Sequence, residues 1–393
     1  MRKLFILMVF LSLSIAFNIN NLKNFIYNSM INLELMKPCY RADQDQIEIF
    51  RQEGIDYYAE DKKITEDGLK KLADLKTSNH FKIPLISHHV YLSAQDNAAP
   101  LNNFYLEKLK ATYHKLNKSN DNWKHFFWTN NPKILPEEIK QIHGVEIKNP
   151  EEFAKHTLYK ALYEYIQKGE NIRAYLAGGS DLLRLMALEE YGGMYNDMDY
   201  EIYNPEALLN LFKEFDYVGG RETTKAFAFY GNAFIASHMN HPVIKGALRL
   251  FFRNKSAIFI PDYLKYPCSE HARIYANGPL LLTLAYFLRN NLEGNNDIIL
   301  PTWMIMNATF ARFKNIDCNY EKVTKEIFNQ REQNLSELLK VYPINTKEEG
   351  VENSNIYYSI RDRKNYEIIG SDMFCGGWAN NNKVIKKRIF YWN

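Results

Sequence analysis

From residue 82 onward the chain alternates short β-type runs with amphipathic segments, and this alternation restricts it to few architectures. "KIPLISHHVYLS" (82–93), "WKHFFWTN" (123–130) and "GVEIKN" (144–149) are the first three runs. Between and after them stand "NNFYLEKLKATYHKLN" (102–117) and "EEFAKHTLYKALYEYIQKG" (151–169), whose apolar residues recur at helical spacing. Parallel strands need a long crossover, usually a helix. The alternation therefore predicts an α/β domain with a largely parallel sheet, whose ligands sit at the carboxyl ends of the strands. Further on, "FDYVGGRE" and "AFAFYGNAFIASH" read as strands, and "HPVIKGALRLFFRN" and "GPLLLTLAYFLRNN" as helices. Near the end, "IYYSI" and "YEIIGS" read as strands again.

With 393 residues the chain can form one large α/β domain plus a smaller one, or two ordinary domains. A hydrophobic fraction of 46% and a charged fraction of 24% place it among globular chains. The net charge of +3 provides no uniform polyanion-binding surface. Zinc-type cysteine and histidine spacings are absent, as is a basic-aromatic RNA-binding motif, so no nucleic-acid partner is expected.

The N-terminus, "MRKLFILMVFLSLSIAFN", pairs Arg2 and Lys3 with an apolar run from Leu4 to Phe17 and a small-x-small site at Ser14 and Ala16. A membrane-spanning helix needs about 20 apolar residues. This shorter run reads as a secretory signal peptide over 1–16, with an uncleaved signal anchor as the alternative. The expectation is a secreted or exported protein with no stable membrane span. Cys39, Cys268, Cys318 and Cys375 show no CxxC spacing and are read either as one or two disulfides or as buried thiols. Asn117, Asn254, Asn307 and Asn334 begin N-x-S/T sequences, which arise by chance in an Asn-rich chain. Residues 17–79 read as a polar helical extension, and 80–393 as the main domain.

The stretch "SDLLRLMALEEYGGMYNDMDYEIY" (180–203) carries the chemistry. Ser180 is read as a helix N-cap, with Asp181 in the first turn. Asp181 and Arg184, three apart, share one helix face. Gly192 and Gly193 end the helix, and a strand is expected to follow with Asp197 and Asp199 on one side, about 6–7 Å apart. Two carboxylates at that spacing repel, and a hard divalent cation, Mn²⁺ or Mg²⁺, relieves the repulsion and binds a diphosphate as well. A bare D-x-D is more often a pair of solvated acids, and Asp181 with Arg184 could alone be a surface ion pair.

The surrounding segment, "AGGSDLLRLMALEEYGGMYNDMDYEIY", resembles the sugar-nucleotide-binding core of DXD glycosyltransferases. That family joins yeast outer-chain-initiating mannosyltransferases to many bacterial enzymes, and large clostridial glucosylating toxins share the core. Ser180, Asp181, Arg184, Gly192, Gly193, Tyr195, Asp197 and Asp199 match its pattern. "IPLISHHVYL" resembles its first strand, with His88 at the family histidine and Tyr91 where tryptophan is usual. "WKHFFWTNN", "NAFIASHMNHP" (232–242), "NGPLLLT" (277–283) and "MFCGGWANN" (373–381) resemble later motifs in order. The chain departs from the family at Gly377, where serine is usual, and lacks the terminal histidine pair.

The resemblance implies a GT-A type nucleotide-binding sheet flanked by helices and a sugar-nucleotide donor. It implies that Asp199 ligates Mn²⁺ or Mg²⁺ directly, and that Asp197 reaches the metal through water while binding ribose or sugar. Asp181 and Arg184, beside Ser180, would hydrogen-bond donor-sugar hydroxyls. Tyr91 would stack on the base, and Trp378 would close over the diphosphate. The expected activity is a retaining transfer from a UDP-sugar, glucose or N-acetylglucosamine, to a protein or glycan acceptor, in a secreted effector or in surface-glycan synthesis. The alternatives are a GDP-mannose-dependent transferase, a non-catalytic sugar-nucleotide or glycan-binding module, and a metal-dependent hydrolase. His88, His89 and His238 are read as structural.

Overall fold

The computed structural model describes residues 50–51, 53–76, 78–93, 101, 103–169, 174–223, 228–257, 278–305 and 370–372. Expectations that fall on the N-terminal run, the four cysteines, "IYYSI" or "MFCGGWANN" lie outside these residues. The strands are β1 (Ile86–Val90), β2 (Lys124–Trp128), β3 (Val145–Lys148), β4 (Gly193–Asn196), β5 (Tyr200–Ile202), β6 (Tyr217–Thr223), β7 (Ala228–Ser237), β8 (Asp297–Leu300) and β9 (Gly370–Asp372). Seven form one sheet in the order β3-β2-β1-β4-β7-β6-β8, and β5 pairs with β9 in a separate ribbon. β1, β2, β3 and β4 run parallel, β6 runs parallel to β8, and β7 is antiparallel to both its neighbours.

The longer helices are α1 (Tyr57–Ala73), α2 (Asn103–Ser119), α3 (Tyr159–Lys168), α4 (Ala174–Tyr191), α5 (Pro205–Glu214), α6 (Pro242–Ala257) and α7 (Pro279–Arg289). They cover both faces of the sheet, which is why β4 and β8 are buried at every residue. Successive residues of β4 serve opposite faces: Tyr195 joins the core beneath α4, α6 and α7, whereas Met194 joins the core beneath α1 and α5. A third apolar cluster, around α2, includes Tyr105, Leu109 and Phe127, with Tyr91 and Met198 packed against it.

α1 belongs to the sequence region read as a helical extension, and it packs on β8. A Cβ at Gly68 would lie 2.8 Å from the Ile299 carbonyl oxygen, so glycine permits this approach. Arg221 Nη2 of β6 donates to Asp61 Oδ2 at 2.7 Å, with both side chains largely buried. Lys71 Nζ donates to the Asp297 carbonyl at 2.8 Å.

Two helix expectations need correction. Residues 151–169 are not one helix: Pro150–Phe153 forms a short 3₁₀ turn capped by Asn149 and Glu152, and α3 starts only at Tyr159. Proline at the first turn and the reciprocal capping box make a self-contained start that does not propagate. Nor is Ser180 an N-cap, because α4 already begins at Ala174 and runs through Gly178 and Gly179. Those glycines let α3 and the segment just after β1 come close. A Cβ on Gly178 would meet Tyr165 Cε1 at 2.8 Å, and one on Gly179 would meet Leu92 Cδ1 at 3.1 Å.

Candidate active site: an acidic turn beside a buried aspartate

β4 ends at Asn196, at the carboxyl edge of the parallel strands. The Asp197 N–H still donates to the Ala233 carbonyl of β7 at 2.8 Å. The Tyr200 N–H then donates to the Asp197 carbonyl at 2.9 Å, closing a turn over residues 197–200. The expected single strand is therefore broken. Asp197 and Asp199, both half-buried, stand on a turn between β4 and β5 and not on one strand face. The break arises because β5 leaves the main sheet to pair with β9.

The Tyr195 hydroxyl donates to Asp197 Oδ1 at 2.5 Å, and Arg184 Nη1 lies 3.3 Å from the same oxygen. The Arg184 guanidinium sits 4.1 Å above the centre of the Tyr195 ring, an orientation favourable for a cation over a π face. Burial pushes the Tyr195 phenol well above its ordinary pKa, so it remains a hydrogen-bond donor throughout the physiological range.

Arg184 extends this arrangement to Asp181. Arg184 Nη2 is 2.9 Å from Asp181 Oδ1, and the Asn232 side-chain amide donates to that same oxygen at 2.8 Å. Arg184 Nη1 also donates to the Asn232 carbonyl at 2.5 Å, and Arg184 Nε donates to the Ser180 carbonyl at 3.3 Å. Ser180 Oγ lies 3.5 Å from Arg184 Nη2. Asp181 Oδ2, by contrast, is buried with no hydrogen-bond partner among the described residues. Burial raises the Asp181 pKa, and Arg184 opposes it. Burial wins, and the carboxyl is pushed up to about 6.

A cavity of about 10 Å³ adjoins this group, lined by Asp181, Arg184, Leu185, Asn232, Ile235, Gly278 and Leu282. That volume is roughly what one water molecule needs. The cavity joins three separate sequence segments: the acidic core, the start of "NAFIASHMNHP" and the start of the "NGPLLLT" helix. Asn232 was not singled out by the sequence reading. The available signal was its place as the first residue of a resembling segment. Its orientation depends on an irregularity in β7 that the sequence does not mark.

Tyr91 follows the last residue of β1, half-buried, with its N–H donating to the Trp128 carbonyl at 2.9 Å. It and Met198 of the acidic turn pack against the same apolar cluster. Trp378 lies outside the described residues. His88 is in the core: Trp128 Nε1 donates to its Nδ1 at 3.1 Å, so Nε2 carries the proton and donates to the Gly192 carbonyl at 2.7 Å. Burial lowers its pKa to about 4 and that of His89 to about 3. His89 bridges Asn196 (3.0 Å) and Tyr113 (3.2 Å). His238 lies at the other end of the sheet, beside Met239 and Asn295. Asn117, of the N-x-S/T sequences, sits in α2 with its side chain bonded to His125 and the His143 carbonyl.

The donor set at the turn suits a hard divalent cation. Asp197 Oδ1 is already engaged by Tyr195 and Arg184, which fits contact through water, while Asp199 offers a second carboxylate. No group of three metal-type side chains occurs among the described residues. Magnesium-type sites commonly use one or two carboxylates and take the remaining ligands from substrate phosphates and water.

Residues 107–215 match the family described as glycosyltransferase sugar-binding region containing DXD motif. The match spans α2 to α5 and includes Ser180, Asp181, Arg184, Asp197 and Asp199. No curated protein matches the chain. Among solved structures, the chain is similar to PaToxG glycosyltransferase at 18% identity, covering 82% of this chain and 96% of that one, with a TM-score of 0.35. It is similar to the UDP-bound glycosyltransferase domain of the YGT toxin at 13% identity, covering 57% and 80%, with a TM-score of 0.37. It is also similar to the catalytic domain of alpha-toxin from Clostridium novyi at 11% identity, covering 84% and 94%, with a TM-score of 0.34. The sheet is mixed and flanked by helices, with its acidic turn at the carboxyl end of the central strand. The family match over the acidic core marks residues 107–215 as similar to the sugar-binding region of DXD glycosyltransferases.

Proposed function

We propose that the protein transfers a sugar from a UDP-sugar, glucose or N-acetylglucosamine, to a protein or glycan acceptor, with retention of configuration. The observation that carries this reading is the bare Oδ2 of Asp181 beside Arg184, in a pair that lines a small cavity. A buried carboxylate oxygen without a partner is costly, and a sugar hydroxyl donating to it removes the cost. Arg184 orients Asp181 on one side and Asp197 on the other, so one side chain aligns the sugar end and the diphosphate end of the donor. Tyr91, at the carboxyl edge of β1, supports stacking on the base. Manganese or magnesium held by Asp199, with Asp197 through water, would supply charge neutralisation on the departing diphosphate.

Tyr195 orients Asp197 by donating its hydroxyl to it. With this arrangement the acceptor attacks from the side the diphosphate leaves, so no protein nucleophile is required. The apolar run after Arg2 and Lys3 supports export, and with it a secreted effector role. Among the described residues no helix is long and apolar enough to cross a membrane.

The test is nucleotide release from a panel of UDP- and GDP-sugars with Mn²⁺, using the chain lacking residues 1–16, beside a double variant Asp197→Ala/Asp199→Ala. Release from one UDP-sugar, abolished by EDTA and in the variant, is the expected result. Release from GDP-mannose alone would replace the donor assignment. Binding of UDP without release from any donor, even with acceptor extracts present, would sink the transferase reading in favour of a binding module.

A further inference from the structure

Strand β7 pairs with β6 on one side and with β4 on the other, and its two registers disagree. Against β6, Gly219 faces Ile235, but the next residue, Gly220, faces Gly231. Residues 232–234 of β7 are thus bulged out of the β6 ladder. Bulges beside active sites typically re-aim side chains. Here the three displaced residues all face site elements. Phe234 pairs with Asn196, and the Ala233 carbonyl accepts from the Asp197 N–H at 2.8 Å. Asn232 uses both of its polar ends: its carbonyl takes Arg184 Nη1, and its side-chain amide donates to Asp181 Oδ1.

Asn232 lies beyond the segment that matches the DXD family region. Its effect on Asp181 is selective. Arg184 and Asn232 both bind Oδ1, which fixes the carboxylate plane and leaves Oδ2 buried without a hydrogen bond among the described residues, in a side chain that lines the cavity with Leu185, Ile235 and Leu282. Without the amide, Arg184 still holds Oδ1, but its contact alone does not prevent rotation of the carboxylate about χ2, a soft torsion.

We propose that Asn232, presented by the β7 bulge, is a positioning residue that sets which Asp181 oxygen meets the donor sugar and thereby couples sugar recognition to the acidic turn. This deepens the glycosyltransferase reading and rests on it. Asn232 acts through Asp181 and so governs the sugar moiety of the donor. The nucleotide moiety is unaffected by it.

The experiment uses Asn232→Ala and Asn232→Asp. Both keep the backbone carbonyl bond to Arg184, and the second keeps the side-chain shape while replacing the donor N–H with a carboxylate oxygen that repels Asp181. Dissociation constants for UDP and for the UDP-sugar that the wild type turns over are measured with Mn²⁺, alongside kcat and KM for nucleotide release and the melting temperature. UDP affinity should remain within about twofold of wild type. The kcat/KM for the UDP-sugar should fall about 10- to 100-fold, the cost of one lost hydrogen bond to a buried charged group. Equal weakening of UDP and UDP-sugar, or an unchanged kcat/KM in both variants, would overturn the assignment. If Asn232→Ala melts low, Asn232→Asp decides alone. A wild type that binds UDP-sugars but releases no nucleotide would defeat the transferase reading, and the inference on Asn232 would then stand or fall on the ratio of UDP-sugar to UDP affinity. A wild type that binds neither would defeat both.

Discussion

Replacing Asp181 with asparagine should stabilise the folded protein at neutral pH while removing its activity. Asp181 is 5% exposed, and burial lifts its carboxyl from the model-peptide value of 3.8 to about 6. Between these two values the folded chain holds a proton that the unfolded chain has released. Stability therefore falls as pH rises through this window, because the native state binds more protons there. A difference of roughly two pKa units corresponds to about 3 kcal/mol of stability present below pH 4 and lost above pH 6. Asparagine cannot ionise, so the variant avoids the loss. Its Oδ1 can still accept from Asn232 and from Arg184, so the contacts around Oδ1 survive. Differential scanning calorimetry of wild type and Asp181→Asn at pH 4 and pH 7.5 reads this directly. The variant should melt on the order of 5 °C higher at pH 7.5 and within about 1 °C of wild type at pH 4. Other carboxylates titrate in the same window, but they are common to both proteins and cancel in the difference. A melting difference that is independent of pH, or a variant that melts lower at pH 7.5, would refute the account of Asp181 as a destabilising charge kept for binding. Nucleotide release from the UDP-sugar should be lost in the same variant.

Two further substitutions follow from the geometry. Tyr195→Phe removes the hydroxyl that donates to Asp197 and keeps the ring beneath Arg184, so nucleotide release should fall by about tenfold with little change in melting temperature. Comparable loss of melting temperature would show instead that the phenol acts through the fold. Arg221→Ala leaves Asp61 largely buried without its cation, which should cost about 3–5 kcal/mol and loosen α1 from the sheet. Urea unfolding and hydrogen exchange over residues 57–73 would detect it, and unchanged protection of α1 would show that its docking depends on other contacts.

The sequence was legible where periodicity and composition act locally. The strands at 86–90, 124–128 and 145–148, and the helices at 242–257 and 279–289, fall where the patterns predict. Asp181 and Arg184 three residues apart on α4 also meet as expected, because helix geometry fixes that contact without tertiary information. The misses have tertiary causes. Ser180 reads as a cap, yet α4 starts at Ala174 and runs through Gly178 and Gly179, where Tyr165 and Leu92 occupy the space that side chains would take. The run from Met194 to Ile202 alternates like one strand, but β5 is drawn away to a partner more than a hundred residues later. Asn232 remained hidden because a bulge is a mismatch between two ladders, and neither ladder is written in a single run of residues.

The β5–β9 ribbon gives the protein a chronology. Tyr200 to Ile202 leave the ribosome early and pair with Gly370 to Asp372, which are made long after the sheet strands have all been synthesised. The acidic turn lies at the mouth of that ribbon, and Asp372 is in register with Tyr200, one residue from Asp199. Contacts of such sequence separation form late, since the loop between their ends must close first. A partly made or clipped chain can therefore hold the buried Asp181–Arg184 half of its site while lacking the strand that flanks the acidic half. Completion of the acidic half waits on the synthesis of residues 370–372.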